Sequence, residues 1–392
     1  MSLSDKPFDI VVFGASGYTG RLVAEYLAAE YAGSDLKWAM AGRSLEKLAA
    51  VRAEMGISEA VELLAVDVDN PDSVTQMVDA CRVVVTTVGP YQLYGDELVK
   101  QCAERGTDYV DLTGEPSWMH ETIAQYSSAA KASGARIVHS CGFDSIPFDL
   151  GVYRLQQHAI AKTGQPIATV KGRVRAMNGT FSGGTIASMR ATMASTKANP
   201  AIIQVLTNPF ALTEGFTGPE QPAGMAPQYD EELKSWSAPF IMAPINTKNI
   251  HRSNFLLGHQ YGEDFRYDEM LLTGDGDQGK AAADYVAKDD SVAKSDLQPG
   301  EGPTKEEREN GNYDAIFAGE THDGELMISS VQGDRDPGYG STSKMLAEAA
   351  MCLLVNPELA SGGLWTPAAA MGEALMARLQ EHAGLTFQIE KG

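Results

Sequence analysis

The chain has 392 residues, of which 43% are apolar and 21% charged, so it is long enough for two domains with cores of their own. Its 52 acidic residues outnumber 31 basic ones, and the formal net charge of −21 argues against electrostatic binding to nucleic acid or to an anionic membrane. The four cysteines lack metal-ligand spacing, and the chain shows neither a signal-like segment nor a spanning apolar run. We therefore expect reduced thiols, a cytoplasmic protein and no membrane span.

The first part of the chain alternates short apolar runs with helical patterns, as βαβ units of a parallel sheet do. The run VVVTTV (83–88) has the continuous β-branched character of a strand that is buried on both faces. Strands are predicted at 10–13, 37–41, 62–66, 83–88, 109–112 and 136–140, and helices at about 18–32, 44–55, 71–80, 95–105 and 117–133.

The pattern changes after Pro147. A helix near 147–163 precedes an alternating segment at 168–177, which predicts a half-exposed strand of a second, antiparallel sheet. The segment 215–250 is rich in proline and glycine and predicts a long irregular loop, which is a candidate lid. We further predict a helix at 182–195, strands at 251–258, 265–272, 314–321 and 325–332, a hairpin turn at 322–324, a solvated polar excursion at 288–312, and two helices and a short strand after 341.

These elements predict an α/β fold. We expect a Rossmann-type doubly wound parallel sheet with an inserted α+β second domain, and C-terminal helices that return to the first domain. The expected boundaries are 1–148 for the dinucleotide-binding domain, 149–334 for a domain that serves substrate binding or oligomerisation, and 335–392 for the C-terminal return.

Three glycines follow the first predicted strand and open the first predicted helix. Gly14 permits a tight turn, Gly17 lets the backbone approach a pyrophosphate, and Gly20 lets the helix pack closely on the sheet. The helix N-terminus presents free N–H groups and a partial positive charge to the phosphates. This G-x-x-G-x-x-G spacing is typical of reductases. The residues expected to bind the dinucleotide here are Gly14, Ser16, Gly17, Tyr18, Thr19 and Gly20.

The residues after the second predicted strand indicate which dinucleotide is bound. An acidic residue at this place would bind the ribose 2′-hydroxyl of NAD, but the chain has Gly42-Arg43-Ser44. The planar guanidinium of Arg43 suits a 2′-phosphate, and Ser44 and Lys47 can add donors. The alternative is that Arg43 only begins a solvated helix. We predict NADP(H) as the cofactor.

Ligands of open parallel sheets bind at the carboxyl ends of the strands. Asp67 is placed either to meet the adenine edge or to cap the helix that starts at 71. Gly89 and Pro90 follow the fourth strand and let the backbone lie against the ribose and nicotinamide. Other residues expected to face the cofactor or the reacting groups are Thr113, Gly114, Glu115, Cys141, Gly142, Phe143, Asp144 and Ser145.

A hydride-transfer site needs orientation and one proton donor. The candidate donors are Asp144, Ser145 and Tyr91, although Asp144 and Ser145 could equally cap the helix after Pro147. Tyr285 and Lys288 have Y-x-x-x-K spacing but lie too late in the chain, so we interpret that match as accidental. Because the histidines form no cluster and no G-x-S-x-G motif occurs, we expect neither metal nor acyl-transfer chemistry.

Several segments together resemble a known family. FGASGYTGRLVAEYL, AGRSLEKL, SCGFDSIPFDLG and DPGYGSTSKMLAEAAMCLL are similar to the saccharopine dehydrogenase-like oxidoreductases, in particular the trans-acting enoyl reductase subfamily. The resemblance covers most of the chain and is indistinct over 215–312. It implies NADP-dependent hydride transfer to an α,β-unsaturated acyl substrate, either a small molecule or an acyl group carried by a lipid-synthesising polyketide synthase.

Two other functions stay open at this point. A saccharopine-type or other imine or carbonyl reductase would need cations for substrate carboxylates, and Lys171, Arg173, Arg175 and Arg190 could supply them, or could simply be solvated. The chain could also be a non-catalytic NADPH-binding scaffold or sensor. We leave open whether it forms a homodimer.

Overall fold

The fold is seen in a computed structural model, which describes residues 6–291, 294–298 and 300–392. The strands are β1 (Phe8–Phe13), β2 (Trp38–Gly42), β3 (Glu62–Ala65), β4 (Cys81–Thr86), β5 (Asp108–Val110), β6 (Arg136–Val138), β7 (Thr169–Asn178), β8 (Gln228–Asp230), β9 (Ser235–Pro239), β10 (Arg266–Gly274), β11 (Asn312–Glu320), β12 (Leu326–Gly333), β13 (Gly363–Trp365) and β14 (Leu385–Lys391). The helices are α1 (Tyr18–Glu30), α2 (Leu45–Glu54), α3 (Pro71–Ala80), α4 (Tyr91–Tyr94), α5 (Asp96–Arg105), α6 (Pro116–Ser133), α7 (Ile146–Thr163), α8 (Gly183–Ala198), α9 (Ala201–Thr207), α10 (Ala243–Leu256), α11 (Gly276–Val286), α12 (Lys305–Asn310), α13 (Thr342–Val355) and α14 (Pro367–His382).

The first sheet is parallel throughout and has the order β3-β2-β1-β4-β5-β6-β13. The strand order reverses between β1 and β4, and the carboxyl ends of these two strands border the crevice where open α/β sheets bind ligands. Most side chains of β1, β2 and β4 are buried, because helices cover both faces of the sheet. The predicted α/β class with a Rossmann-type sheet is confirmed.

Local sequence signals explain several of the helix ends around this sheet. The side chain of Ser44 accepts a hydrogen bond from the Lys47 N–H and caps α2, and Asn70 caps α3 in the same way. Helix α5 ends at Gly106 in the left-handed conformation. In contrast, no side chain caps α1, so the N-terminus of this helix is open to a ligand.

The second sheet has the order β14-β12-β11-β7-β10-β9-β8. The predicted hairpin is confirmed, since β11 and β12 pair in antiparallel register and Gly324 takes the left-handed conformation in the turn (φ 79°). The expectation of a wholly antiparallel sheet was wrong, because β7 and β10 pair in parallel. The sheet is therefore mixed, with a helical crossover between its two central strands.

Three predicted segments differ from the structure. The strand expected at 251–258 is wrong, because these residues lie largely in α10, a helix most of whose residues are buried. The segment 215–250 is not one irregular loop, since it contains β8, β9 and the start of α10. The polar excursion at 288–312 includes α12 and returns to the first domain, where Pro303 contacts Tyr18.

The C-terminal segment joins the two sheets. Helix α13 packs against α1 and β4, β13 extends the first sheet beside β6, and β14 extends the second sheet beside β12. The return predicted for the C-terminal helices is confirmed for α13, and it continues into the second sheet through β14. Among the helices described, none combines the length and apolar character that crossing a membrane requires.

Candidate active site

The turn between β1 and α1 requires glycine at two positions. Gly14 has φ +88°, and a Cβ atom there would lie 2.8 Å from Oγ1 of Thr87. A Cβ atom on Gly20 would collide with the carbonyl oxygen of Gly14. The backbone at the uncapped start of α1 is consequently open enough for a pyrophosphate to approach its N–H groups.

The residues after β2 suit a phosphorylated ribose. Arg43 is exposed, and within the described part of the chain its guanidinium forms no hydrogen bond or ion pair. Lys47 is also exposed, and Ser44 lies between these two residues and caps α2. A cation that the protein itself leaves unpaired fits the 2′-phosphate of NADP(H). This subsite and the glycine turn together suit the 2′-phosphate and the pyrophosphate of the cofactor.

Asp67 does not cap α3. The structure gives the N-cap position to Asn70, while Oδ1 of Asp67 accepts a hydrogen bond from the N–H of Asp69. The capping alternative was therefore wrong. The contact of Asp67 with an adenine edge stays a prediction.

A cleft of about 420 Å³ opens between the carboxyl ends of the first sheet and helix α8. On one side lie Thr19, Thr87 and Gly89, at the switch point of the sheet. Among the described lining residues, none is lysine, arginine or histidine, and the only carboxylates are Glu115 and Asp144. The apolar part of the wall consists mainly of Leu112, Phe181, Met189, Met193, Leu206, Ile241, Met242 and Ile245.

A smaller chamber of about 70 Å³ adjoins this cleft, and both cavities are lined by Asp144, Thr185 and Tyr339. Gly142 and Phe143, two of the predicted site residues, line the chamber. Most of its wall is apolar. The three shared polar residues therefore mark where the two cavities meet.

Asp144, one of the three candidate proton donors, lines both cavities. Burial raises its pKa from 3.8 to about 7. Within the described residues, its side chain has no hydrogen-bond partner, and it lines the cleft and the small chamber. A carboxyl group that faces a cleft and is half protonated near neutral pH is suited to act as a general acid.

The other two candidate donors face the protein interior. Ser145 is fully buried, and its Oγ accepts a hydrogen bond from Nδ2 of Asn249 at 2.9 Å. It holds the N-cap position of α7, but its side chain does not cap the helix, and its burial places the hydroxyl away from the cleft. The Tyr91 ring lines the cleft, but its hydroxyl donates to the Thr86 carbonyl oxygen, and burial raises the pKa of Tyr91 well above 10.

Cys141 also lies beneath the site. Its thiol is fully buried and donates to the carbonyl oxygen of Val138, and burial raises its pKa well above 9. Its side chain lines neither cavity among those described. The sequence correctly placed Cys141 near the carboxyl end of β6 but could not tell which way its side chain points.

Glu115 connects the nucleotide domain to the helix above the cleft. Its carboxylate is buried and accepts the backbone N–H groups of Tyr91 and Gln92, each at 2.9 Å. The side-chain amide of Gln92 bonds Oε2 of Glu115 and reaches α8, where it donates to Thr192 and accepts from Ser195. The loop after Gly89 and helix α8 are thus held together by one polar network.

Tyr339 is a site residue that the residue-by-residue argument missed. It lies in a single π-helical turn (Pro337–Ser341), whose N–H groups at Tyr339 and Gly340 are bound by the buried carboxylate of Asp336. Its hydroxyl lies 2.6 Å from the Ser182 nitrogen and 2.8 Å from Oγ1 of Thr185. Tyr339 belongs to the DPGYGS segment, which does not follow a strand of the parallel sheet.

The four basic residues that were candidates for binding substrate carboxylates already have partners within the protein. The Arg173 guanidinium is buried against Asp268 and Asp230, and the Lys171 ammonium lies 2.9 Å from Oε2 of Glu232. Arg175 forms ion pairs with two carboxylates, and Arg190 donates to a backbone carbonyl. These cations stabilise the second sheet and its surroundings, and none of them lines the cleft.

A switch-point nucleotide site that opens into a substrate cleft is the architecture of a dinucleotide-dependent oxidoreductase. Residues 10–138 match the family model described as the saccharopine dehydrogenase NADP-binding domain, so the cofactor is NADP(H). The chain is 39% identical to a putative trans-acting enoyl reductase of Mycobacterium tuberculosis over 99% of both chains, and 33% identical to a trans-acting enoyl reductase of Mycobacterium ulcerans over 97% of both. It belongs to the saccharopine dehydrogenase-like oxidoreductase family, in its trans-acting enoyl reductase subfamily.

The solved structures agree at the level of the fold. Apo saccharopine dehydrogenase (L-Glu forming) from Saccharomyces cerevisiae superposes with a TM-score of 0.55 over 97% of this chain and 99% of its own. The two sequences are only 12% identical, so this similarity concerns the fold alone.

Proposed function

We propose that the protein uses NADPH to reduce the conjugated carbon–carbon double bond of an α,β-unsaturated acyl thioester. The observation that carries this proposal is the cleft, which is apolar along most of its wall and has one unpaired carboxyl group, Asp144, beside the predicted nicotinamide position. The relatives of this chain are described as trans-acting enoyl reductases, which supports the same reaction.

In this reaction a hydride adds to the β-carbon and a proton to the α-carbon, so the double bond becomes a single bond. NADPH, when bound, supplies the hydride. The chain holds the cofactor through the glycine turn of α1 and through Arg43, and it orients the acyl group against Thr87 and Gly89 at the switch point. The apolar side of the cleft excludes water from the acyl chain.

Asp144 supplies the proton in this proposal. Because burial holds the pKa of Asp144 near 7, a large fraction of its carboxyl groups is protonated at neutral pH. No hydrogen bond with a described residue competes for that proton. Tyr91 and Ser145 are not proposed as donors, since their hydroxyl groups are directed into the protein.

The acyl group would arrive on a carrier. The relatives are named trans-acting, which suggests that they act on a substrate held by another protein. The mouth of the cleft includes Met193 and Ile241, whose side chains are 50% and 44% exposed. An exposed apolar rim of this kind suits the entry of an acyl chain whose carrier stays outside.

Amino-acid adducts are a poorer match for this cleft. The carboxylates of a saccharopine-type substrate would need cationic partners, and the described lining residues include none. A pure NADPH-binding scaffold would not need an unpaired carboxyl group in a cleft. We therefore favour enoyl reduction over both alternatives.

A substrate panel tests the proposal. The full-length protein is mixed with NADPH and, separately, with an α,β-unsaturated medium-chain acyl thioester of N-acetylcysteamine, a cyclic imine, a ketone and an α-keto acid with lysine, and NADPH oxidation is followed by absorbance. We expect turnover with the enoyl thioester and formation of the saturated product, identified by mass spectrometry. Turnover with the imine or keto acid alone would refute enoyl reduction, and tight NADPH binding without turnover on any substrate would favour the scaffold.

A further inference from the structure

One of the two hydroxyl hydrogens of Tyr339 and Thr185 has no hydrogen-bond acceptor within the described residues. The two groups lie 2.8 Å apart and share one hydrogen bond, in which either oxygen can be the donor. The Tyr339 oxygen also accepts the backbone N–H of Ser182 at 2.6 Å. Within the described part of the chain, neither hydroxyl has another partner. Whichever of them donates to the other, one hydroxyl hydrogen is left over.

That hydrogen is available to the cleft. Tyr339 and Thr185 both line the main cleft and the small chamber, as Asp144 does. Tyr339 is buried, and burial raises its pKa above 10, so the phenol keeps its proton at neutral pH. The pair is consequently a neutral hydrogen-bond donor that stands beside the proposed proton donor in a largely apolar cavity.

Helix α8 begins beside this hydroxyl pair. Thr185 lies in the first turn of α8, a helix of 16 residues with no acidic residue in its first turn and no side-chain cap. The N-terminus of such a helix carries a partial positive charge. Asp336 holds the turn that contains Tyr339 through two backbone N–H groups, so the phenol is fixed before any substrate binds.

We propose that the Tyr339–Thr185 hydroxyl pair donates a hydrogen bond to the thioester carbonyl oxygen and stabilises the enolate that forms when the β-carbon accepts a hydride. This inference rests on the proposed function and deepens it. Addition of the hydride moves the electron pair of the double bond toward the carbonyl oxygen, which becomes negatively charged. The hydroxyl groups of Tyr339 and Thr185 stabilise that charge. Asp144 then protonates the α-carbon, and the carbonyl group is restored. Both residues would be catalytic residues, because they touch the substrate.

The two hydroxyls can replace each other in part. In Tyr339→Phe the hydroxyl of Thr185 is free to donate, and in Thr185→Val the phenol of Tyr339 is free. We therefore expect each single variant to lower kcat by about tenfold and the double variant by about a hundredfold or more, since the loss of one oxyanion donor typically costs about 10²–10³ in kcat. Thr185→Ser keeps the hydroxyl and should lower kcat much less than Thr185→Val does.

Turnover and a non-turnover signal together test the inference. Each variant is assayed with NADPH and the enoyl thioester, and its NADPH affinity is measured by fluorescence to confirm that the cofactor site is folded. In parallel, an acetoacetyl thioester is bound in the presence of NADP⁺, and the fraction present as enolate is read from its ultraviolet absorbance. The wild type and Thr185→Ser should raise the enolate fraction, whereas the double variant should not.

The outcomes separate this inference from the proposed function. If the wild type reduces the enoyl thioester but the double variant keeps kcat within about threefold and the same enolate fraction, the hydroxyl pair is only structural and the inference is wrong. If Tyr339→Phe fails to fold, comparison of Thr185→Val with Thr185→Ser still decides, because equal kcat values and enolate fractions would overturn it. A wild type that reduces no enoyl thioester would refute the proposed function itself.

Discussion

Arg43 directly follows the second strand, and within the described residues its guanidinium has no partner. We expect Arg43→Ala to weaken NADPH binding by about one to two decades, because a charged hydrogen bond contributes about 1.5–3 kcal/mol. The affinity for NADH, which lacks the 2′-phosphate, should stay nearly the same. The measurement is a fluorescence titration of both cofactors.

Arg105→Ala is the matched control for this change. Arg105 is an exposed arginine of the same domain, and it pairs with Asp79 on the neighbouring helix α3. Its replacement should leave the affinity for both cofactors unchanged. If Arg43→Ala bound NADPH as tightly as Arg105→Ala does, Arg43 would not hold the 2′-phosphate.

Asp144 should give the reaction its pH dependence. A general acid must be protonated, and burial sets the pKa of Asp144 at about 7. The value of kcat/KM should therefore be level below that pH and fall by about tenfold per pH unit above it. Asp144→Asn should lower kcat/KM by about 10²–10⁴-fold and abolish this limb of the profile. A profile with the same limb in Asp144→Asn would assign the titration to another group.

At the scale of elements, helix α8 covers the cleft and is joined to the nucleotide domain by Gln92. The Gln92 amide bonds Thr192 and Ser195 of α8 and is itself held by Glu115. In Gln92→Ala these bonds are lost, and each contributes about 1 kcal/mol. We expect backbone amides of α8 to exchange with deuterium about tenfold faster or more, and the KM for the acyl thioester to rise with little change in NADPH affinity.

Gln101→Ala provides the comparison for that experiment. Gln101 lies on α5, where its amide donates to Glu97 in the same helix and does not reach the cleft. Deuterium exchange in α8 should match the wild type in this variant. Equal exchange in Gln92→Ala and Gln101→Ala would show that the Gln92 network does not hold α8.

The elements also show which parts of the fold the sequence could specify. Strands β1 and β4 were predictable because a strand buried on both faces is a continuous apolar run. Helix α10 was not, because its buried polar side chains bond to distant segments, as Arg252 does to Leu364 and Asn249 to Ser145. Strand β13 was not predicted, and its place beside β6 follows from tertiary packing.

The residues of the candidate site also differ in whether local sequence patterns could indicate them. The glycine turn, Arg43 and Asp144 lie next to strand ends, and local patterns therefore pointed to them. The pairing of Tyr339 with Thr185 joins residues 154 positions apart, and no local pattern encodes such a contact. Side-chain direction was equally hidden, since Asp144 faces the cleft while its neighbour Ser145 is buried.

At the scale of the whole molecule, the C-terminal segment couples both sheets. We propose that 1–148 forms the dinucleotide-binding domain and 149–334 the domain for substrate binding or oligomerisation, and that 335–392 completes both. The proposal is supported by α13, which is almost wholly buried, and by β13 and β14, which extend different sheets. Neither domain is expected to fold stably without this segment.

A buried ionic cluster attaches the C-terminal segment to the cofactor helix. Glu348 of α13 is fully buried, and its carboxylate accepts hydrogen bonds from the hydroxyl of Tyr26 in α1 at 2.8 Å and from that of Tyr31, which directly follows α1, at 2.6 Å. The Arg378 guanidinium of α14 lies 2.7 Å from the same carboxylate and also donates to Tyr31. This cluster therefore joins α1, α13 and α14 through the Glu348 carboxylate.

Removing the cation should destabilise the whole molecule. In Arg378→Ala the Glu348 carboxylate stays buried without its counterion, and we expect the free energy of unfolding to fall by about 3 kcal/mol, as when one partner of a buried pair is lost. The measurement is urea denaturation followed by circular dichroism. Lys305→Ala removes an exposed pair with Glu309 within α12 and should cost less than about 0.5 kcal/mol. If both variants unfolded at the urea concentration of the wild type, the cluster would not be what joins the C-terminal helices to α1.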